Sequence, residues 1–491
     1  MSIFSRRTFG RLLGATAGAA VLPLAGEQAC LAQAGKAQAV ANAGAVRRFP
    51  SDFLWGTATA SYQVEGAAKE AGRGPSIWDT FAHTPGRVNL GDTGDVAVDH
   101  FHRYKEDIAL MKDLGVKGYR FSVSWSRIFP TGRGQLNSQG FDFYERMLEV
   151  LLAAGIEPYC TLFHWDLPQT LEDRGGWQSK DTSKAFGEYA GVVAKRLSDR
   201  VKYFMTMNEL RTFTELGYRA GVHAPGLKVD KAQFAQVCHN AILAHGLGVE
   251  AIRANAKTGI KVGLADNASV MAPAIETAQH IEAAGKALRE ENAMFLTAIQ
   301  EGRYTDLYLK RLGAAAPKTT PNEMLTIGTP LDFLGLNVYS ARYVLADGSE
   351  QGYRILEAPK SYPHMESPWL RIAPEGLYWL PKLVSKLWGV KELYITENGA
   401  SSADVVGPDG EINDTDRVMF LRNYLTQLER AVAEGVPVKG YFLWSLMDNF
   451  EWADGYAKRF GIHYVDFATQ KRTPKLSAKF YKEVIRTGRV V

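Results

Sequence analysis

The chain has 491 residues, of which 46% are hydrophobic and 22% are charged, as is typical of a soluble globular protein. Its formal net charge is +4, and residues 1–40 carry most of that excess, since the rest of the chain holds 53 basic and 52 acidic side chains. A nearly neutral chain has no electrostatic signature of nucleic-acid or membrane-surface binding, so neither partner is expected.

Residues 1–40 are predicted to be a twin-arginine signal peptide with its cleavage region. Arg6 and Arg7 precede an apolar run, Leu12–Ala25, that is too short and too rich in Ala and Gly to predict a membrane span. The pattern predicts export of the folded protein by the twin-arginine machinery to the periplasm or medium, without a stable membrane anchor. A disordered tail and a lipoprotein signal at Cys30 are weaker alternatives.

The cysteines fit this expectation. Cys30 would be removed with the signal, Cys160 lies in an apolar run and Cys238 in a helix-like stretch. Their spacing predicts neither a disulfide framework nor a metal cluster, and a protein folded in a reducing compartment does not need disulfides. No metal and no organic cofactor are expected.

After a short linker, 41–48, the region 49–491 is predicted to be one domain, because no repeat or change in composition divides it. Its strands are expected where short β-branched or aromatic runs occur. The eight runs are Phe53–Thr57, Gly118–Val123, Glu157–Phe163, Val201–Met207, Ile260–Ala265, Asp332–Val338, Glu392–Thr396 and Val438–Ser445.

Helical patterns separate these strands. Apolar residues recur with helical spacing at 104–114, 144–151 and 186–197, and Gly115 and Gly155 follow the first two segments. Alternating strands and helices predict parallel βαβ units, and eight nearly continuous apolar strands favour a closed (β/α)8 TIM barrel with elaborated βα loops. Additional helices are expected in long intervals such as 266–331.

In such barrels the reacting groups lie at the carboxyl ends of the strands. The predicted strand ends collect carboxylates, amides, an imidazole, an arginine and several indoles. The side chains expected to converge there are Gln63, Arg120, His164, Trp165, Asn208, Glu209, Asn337, Tyr339, Glu397, Trp444, Glu451 and Trp452.

This set of side chains suits a sugar. Indole faces cover the apolar C–H faces of a pyranose, while amide, imidazole and carboxylate groups pair with its hydroxyls. Two carboxyl groups can cleave a glycosidic bond if one protonates the leaving oxygen and the other attacks the anomeric carbon or activates water. Such a pair needs two environments that separate its pKa values, and Arg120 would keep one member ionised.

Each motif also has a structural interpretation. An Asn-Glu pair occurs by chance in chains of this length, and Asn322-Glu323 is such a case, because Pro321 predicts a helix start there. His100 and His102 form an HxH pattern that resembles the metal ligands of some barrel hydrolases. They open a segment with helical period instead of ending a strand, so a metal role is not favoured.

The sequence resembles glycoside hydrolase family 1, the β-glucosidase family, from about Phe49 to Ile485. Long motifs carry the resemblance in chain order: FLWGTATASYQVEGA, DHFHRYKEDIALMKDLGVKGYRFSVSWSRIFP, FHWDLPQTLEDRGGW, LDFLGLNVYS, LYITENGA and GYFLWSLMDNFEWADGYAKRFGIHYVD. The resemblance implies a retaining exo-β-glycosidase that works through a covalent glycosyl-enzyme.

The resemblance also implies roles for individual residues. Glu209 matches the general acid/base and Glu397 the nucleophile, with Arg120, Asn337 and Tyr339 supporting the nucleophile. Tyr339 also counts among the residues that match the sugar-binding set. The others in that set are Gln63, His164, Trp165, Asn208, Trp444, Glu451 and Trp452.

Two positions depart from the family pattern. Leu210 replaces the usual proline after the Asn-Glu pair, which predicts a looser backbone at Glu209 and an added side chain near the mouth of the site. Val338 stands where tyrosine is usual, and a packing variation is expected there. Glu209 argues against the thioglucosidase branch, which lacks this acid. Glu451 argues against the phosphoglycosidase branch, because it would repel a 6-phosphate.

The expected substrate is therefore a small β-glycoside or oligosaccharide with a terminal β-glucosyl residue. Preference for a galactoside or fucoside, and transglycosylation, remain alternatives. A non-catalytic sugar receptor on the same scaffold is less favoured, because both carboxylates are present.

Overall fold

Eight parallel strands close into a barrel in the computed structural model, which describes residues 47–491. Neighbouring barrel strands are consecutive in the chain, and the eighth pairs with the first. The predicted signal peptide and most of the linker lie outside the described residues, while Arg48–Val491 cluster as one unit. In chain order the barrel strands are Leu54–Ala58, Gly118–Ser122, Glu157–Phe163, Tyr203–Asn208, Lys261–Asp266, Leu334–Asn337, Leu393–Asn398 and Val438–Trp444.

Helices surround the barrel and fill its longer loops. Three of the connecting helices carry the predicted apolar stripes, and the first of these ends at Gly115, whose φ of 83° is left-handed. The α-helices are Ser61–Val64, Ile77–Ala82, His100–Leu114, Trp125–Ile128, Ser138–Ala153, Gln169–Glu172, Lys180–Leu197, Leu210–Thr214, Lys231–Asn255, Ala278–Glu291, Leu296–Glu301, Asp306–Leu312, Pro321–Ile327, Gly376–Trp388, Thr415–Ala433 and Leu476–Thr487.

The barrel strands are almost entirely buried, since the interior is packed with side chains and the outer face is covered by helices. The prediction of a (β/α)8 barrel is confirmed. Each observed strand end lies within two residues of the predicted one. Among the carboxyl ends of the strands, the largest difference from the prediction is in the seventh strand, which continues to Asn398 and so includes Glu397.

Two long βα loops, after the fifth and sixth barrel strands, extend the barrel. The interval 266–331, where additional helices are expected, contains four α-helices. The last of them, Pro321–Ile327, begins with a capping box formed by Thr320 and Glu323. Strand Met271–Pro273 pairs with Arg342–Ala346, which also pairs with Tyr353–Leu356. Among the described helices, none is both long and apolar enough to cross a membrane.

Candidate active site

A cavity of about 610 Å³ opens at the carboxyl ends of the barrel strands. This volume is in the usual range for small-molecule sites. Nine of the twelve predicted residues line it: His164, Trp165, Glu209, Asn337, Tyr339, Glu397, Trp444, Glu451 and Trp452. The other three, Gln63, Arg120 and Asn208, are buried behind this lining and hydrogen-bond to residues in it.

The backbone is irregular where the acids emerge. The register shifts between Met205 and Asn208 in the fourth strand and between Ile395 and Glu397 in the seventh. Glu209 itself has left-handed φ and ψ angles of 48° and 67°. Such conformations cost about 1–3 kcal/mol in non-glycine residues and are concentrated at functional sites. Pairing of the Glu209 N–H with Ala265 O, at 2.9 Å, helps to hold this conformation.

The Glu397 carboxyl is held at both oxygens. Arg120 Nη1 donates to Oε1 at 2.5 Å, and the Tyr339 hydroxyl donates to Oε2 at 2.9 Å. Arg120 is fixed in turn by bonds to Asn208 Oδ1 at 2.6 Å and Thr161 Oγ1 at 3.2 Å. Burial raises the pKa of Glu397, whereas the Arg120 charge and the Tyr339 hydrogen bond favour its ionised form.

Glu209 lies in a different environment. Asn337 Nδ2 donates to its Oε1 at 2.8 Å, and Thr212 Oγ1 donates to its Oε2 at 2.7 Å. Among residues 47–491, no cationic side chain forms an ion pair with this carboxyl. Burial raises the pKa of Glu209 to about 8, and the nearby Glu397 carboxylate acts in the same direction. At neutral pH a proton is therefore held on Glu209, while Arg120 stabilises charge on Glu397. The two carboxyls are separated chemically in the way an acid and a nucleophile require.

A second polar group lies around Glu451. Gln63 Nε2 donates to Phe450 O at 2.9 Å and lies 3.4 Å from Glu451 Oε2. Burial raises the pKa of Glu451 to about 8, and the neighbouring carboxylates act in the same direction. Asn208 Nδ2 lies 3.0 Å from His164 Nε2, so the amide donates and the neutral ring carries its proton on Nδ1.

Aromatic rings form one wall of the cavity. The rings of Trp165 and Trp452 lie 4.5 Å apart, and the His164 ring is nearly parallel to that of Trp444 at 5.7 Å. Trp165 Nε1 donates to Asn208 O at 3.0 Å, which connects this wall to the last residue of the strand that precedes Glu209. Trp165 and Trp452 also have left-handed backbones, with φ of 75° and 52°.

The outer part of the cavity contains residues that sequence reasoning missed. Thr212 lies one helical turn after Glu209, a spacing that would have indicated contact. The others lie in the loops after the fourth, fifth and sixth barrel strands; they include Leu216, Val222, His223, Asn267, Trp369 and Arg371.

The expectation for Leu210 is wrong in one respect. Its side chain is fully buried in the core and is not part of the cavity lining. Leu210 is the first residue of the helix Leu210–Thr214, a position where proline is favoured but not required, because the N–H there has no partner within the helix. Val338 is also fully buried, as a packing variation requires.

The HxH pair lies on a helix, as its period predicts. His100 is buried and its Nδ1 lies 2.8 Å from Asp107 Oδ2, whereas His102 is partly exposed beside Asp99 and Glu70. Across residues 47–491 no group of three or more His, Cys, Asp or Glu side chains is placed to hold a metal ion. Cys160 and Cys238 are free and buried.

Comparison with known proteins gives the family. The model of glycosyl hydrolase family 1 matches residues 45–490. The chain belongs to this family. It is 46% identical over 450 residues to beta-glucosidase A of Acetivibrio thermocellus, covering 90% of this chain and 98% of that protein.

Two further similarities are to proteins whose names state an activity or a bound ligand. The chain is 41% identical over 461 residues to a bifunctional beta-D-glucosidase/beta-D-fucosidase of Bifidobacterium breve, covering 89% of this chain and 98% of that protein. The structure of the beta-glucosidase from Thermotoga maritima in complex with glucoimidazole superposes with a TM-score of 0.83 at 43% identity. That match covers 90% of this chain and all of the other.

Proposed function

We propose that this family 1 enzyme is a retaining β-glucosidase that removes terminal non-reducing β-D-glucosyl residues, with Glu397 as nucleophile and Glu209 as general acid/base. The observation that carries the assignment is the difference between the two carboxyls. Glu397 accepts a hydrogen bond from the Arg120 guanidinium. Glu209 instead accepts from the neutral Asn337 and Thr212 side chains and has its pKa raised to about 8.

The reaction has two steps. In the first, a Glu397 oxygen forms a bond to the anomeric carbon while the glycosidic bond breaks, and Glu209 gives its proton to the departing oxygen. In the second, the ionised Glu209 takes a proton from water, whose oxygen attacks the anomeric carbon and releases Glu397. The anomeric configuration is inverted twice and so retained.

The polar groups around Glu451 are proposed to hold the glucosyl hydroxyls. Within the described residues, His164 Nδ1 and Gln63 Oε1 are buried without hydrogen-bond partners. Together they offer one donor and one acceptor, which a sugar hydroxyl can satisfy. Glu451 suits a free hydroxyl and disfavours a 6-phosphate, because a phosphate dianion would add negative charge where burial and neighbouring carboxyls already raise the pKa of Glu451.

The assignment is tested by hydrolysis of nitrophenyl β-glucoside, β-galactoside, β-fucoside, β-xyloside and β-glucoside 6-phosphate, compared side by side. The highest kcat/KM is expected for the glucoside. Measurable activity on the fucoside is also expected, because the Bifidobacterium breve relative is named a bifunctional beta-D-glucosidase/beta-D-fucosidase. Preference for the 6-phosphate would contradict the role of Glu451. Absence of turnover on every substrate would contradict the assignment as a whole.

We further propose that the protein is exported in folded form to the periplasm or medium. Arg6 and Arg7 before an apolar run support this proposal. Replacing both by lysine should retain the enzyme in the cytoplasm of a bacterial host with a twin-arginine pathway, as measured by glucosidase activity in cell fractions. Equal export of the variant would contradict the proposal.

A further inference from the structure

Thr212 links Glu209 to a second loop. Its hydroxyl is 2.7 Å from Glu209 Oε2 and 2.6 Å from Asn267 Nδ2. An amide nitrogen can only donate, so the Thr212 oxygen accepts from Asn267 and its single hydrogen is directed to Glu209. Both side chains line the cavity, and they come from the loops after the fourth and fifth strands.

These hydrogen bonds stabilise the ionised and the neutral form of Glu209 to different extents. With Asn337 on Oε1 and Thr212 on Oε2, each oxygen of the carboxyl receives a donor. Donors at both oxygens stabilise the carboxylate relative to the neutral acid, which itself has a hydrogen to donate. The two bonds thus oppose the effect of burial on this group.

We propose that Thr212, oriented by Asn267, is a positioning residue that stabilises the ionised form of Glu209. The proposal rests on the assignment of Glu209 as acid/base. The ionised form is the product of the first step and the reactant of the second. Thr212 thereby sets how readily the carboxyl releases its proton to the leaving group and regains one from water.

Other groups also act on Glu209 and remain in place when Thr212 changes. Burial and the Glu397 carboxylate favour the neutral acid, whereas the Arg120 charge favours the ionised form. The titratable or charged side chains that act on Glu209 or line the same cavity come from most of the surrounding barrel strands and loops. They are Arg120 on the second strand, His164 after the third, His223 after the fourth, Tyr339, Arg342 and Arg371 after the sixth, Glu397 on the seventh, and Glu451 and Asp454 after the eighth.

The test is the substitution Thr212→Val, which removes the hydroxyl at nearly constant shape. Activity requires Glu209 to be protonated before the first step, so kcat/KM is lost as pH rises through its pKa. Loss of a hydrogen bond to a charged group should raise that pKa and move the basic limb of kcat/KM to higher pH by about one unit. Phenyl β-glucoside is the substrate, because its leaving group needs protonation.

Three further variants make the result specific. Thr212→Ser should restore the wild-type limb, and Asn267→Ala should move it in the same direction as Thr212→Val. The matched control is Thr214→Val, because Thr214 lies in the same helix and its hydroxyl donates to the carbonyls of Leu210 and Arg211 instead of the site. Circular dichroism would verify that each variant is folded.

The outcomes separate the two proposals. An unmoved limb in Thr212→Val and in Asn267→Ala, with normal wild-type turnover, would overturn the role of Thr212 alone. A shift to lower pH would overturn it as well, because Thr212 would then be accepting a hydrogen bond from the protonated acid. Absence of wild-type glucosidase activity would instead overturn the proposed function.

Discussion

The hydrogen bond from Tyr339 to Glu397 can be removed without disturbing the rest of the site. Tyr339→Phe deletes the hydroxyl that donates to Oε2 at 2.9 Å and leaves the Arg120 ion pair on Oε1. The ring keeps its edge-on contacts with Trp369 at 5.6 Å and Phe460 at 6.5 Å. The substitution thus isolates one donor to the proposed nucleophile.

The expected effect is large. A hydrogen bond to a charged group contributes about 1.5–3 kcal/mol, which corresponds to about a 10- to 150-fold change in an equilibrium constant. Glu397 attacks only when it is ionised, so activity is lost as pH falls through its pKa. Loss of the Tyr339 donor raises that pKa, and the acid limb of kcat/KM should move to higher pH by about one to two units.

The assay is kcat/KM for nitrophenyl β-glucoside as a function of pH. The matched control is Tyr189→Phe, because the Tyr189 hydroxyl is buried and donates to the carbonyls of Val123 at 3.1 Å and Leu162 at 2.9 Å. This control should lower the unfolding temperature and leave the acid limb in place. An acid limb that does not move in Tyr339→Phe would refute the claim that this hydroxyl stabilises the nucleophile.

Three further predictions concern the two acids. Glu397→Ala should abolish most hydrolysis, and added azide should restore turnover with a β-glycosyl azide as product; near-wild-type hydrolysis would contradict its role. Glu209→Gln should slow phenyl β-glucoside far more than dinitrophenyl β-glucoside, since only the former needs a proton; equal losses would count against the acid. In the wild type, kcat/KM for phenyl β-glucoside should fall above about pH 8, because Glu209 with its raised pKa then loses its proton; a flat profile to pH 10 would contradict this.

Much of the barrel and the position of its acids could be predicted from the sequence. Strands buried on both faces form continuous apolar runs, and a parallel barrel brings their carboxyl ends together. Those two rules place Glu209 and Glu397 at the same end of the molecule without any knowledge of the loops. The helix at Pro321–Ile327 was also predictable, because its start has an ordinary capping signal.

Other features depend on contacts between distant segments. The bond from Asn267 to Thr212 joins two loops 55 residues apart, and no periodicity in either segment indicates it. The burial of Leu210 depends on how the helix after Glu209 packs, whereas the sequence shows only that a proline is missing. The left-handed backbone of Glu209 is likewise imposed by its surroundings, since no glycine marks it.

The central claim is that Glu397 forms a covalent bond to the substrate, and trapping of that intermediate tests it most directly. A 2-deoxy-2-fluoro-β-glucoside with a good leaving group should react once per active site. The fluorine slows both steps and the good leaving group assists only the first, so the glycosyl-enzyme accumulates. The mass of the protein should increase by one fluoroglucosyl group, and peptide mapping should place that group on Glu397 within the strand Leu393–Asn398. A label on Glu209, or on any other side chain, would contradict the account.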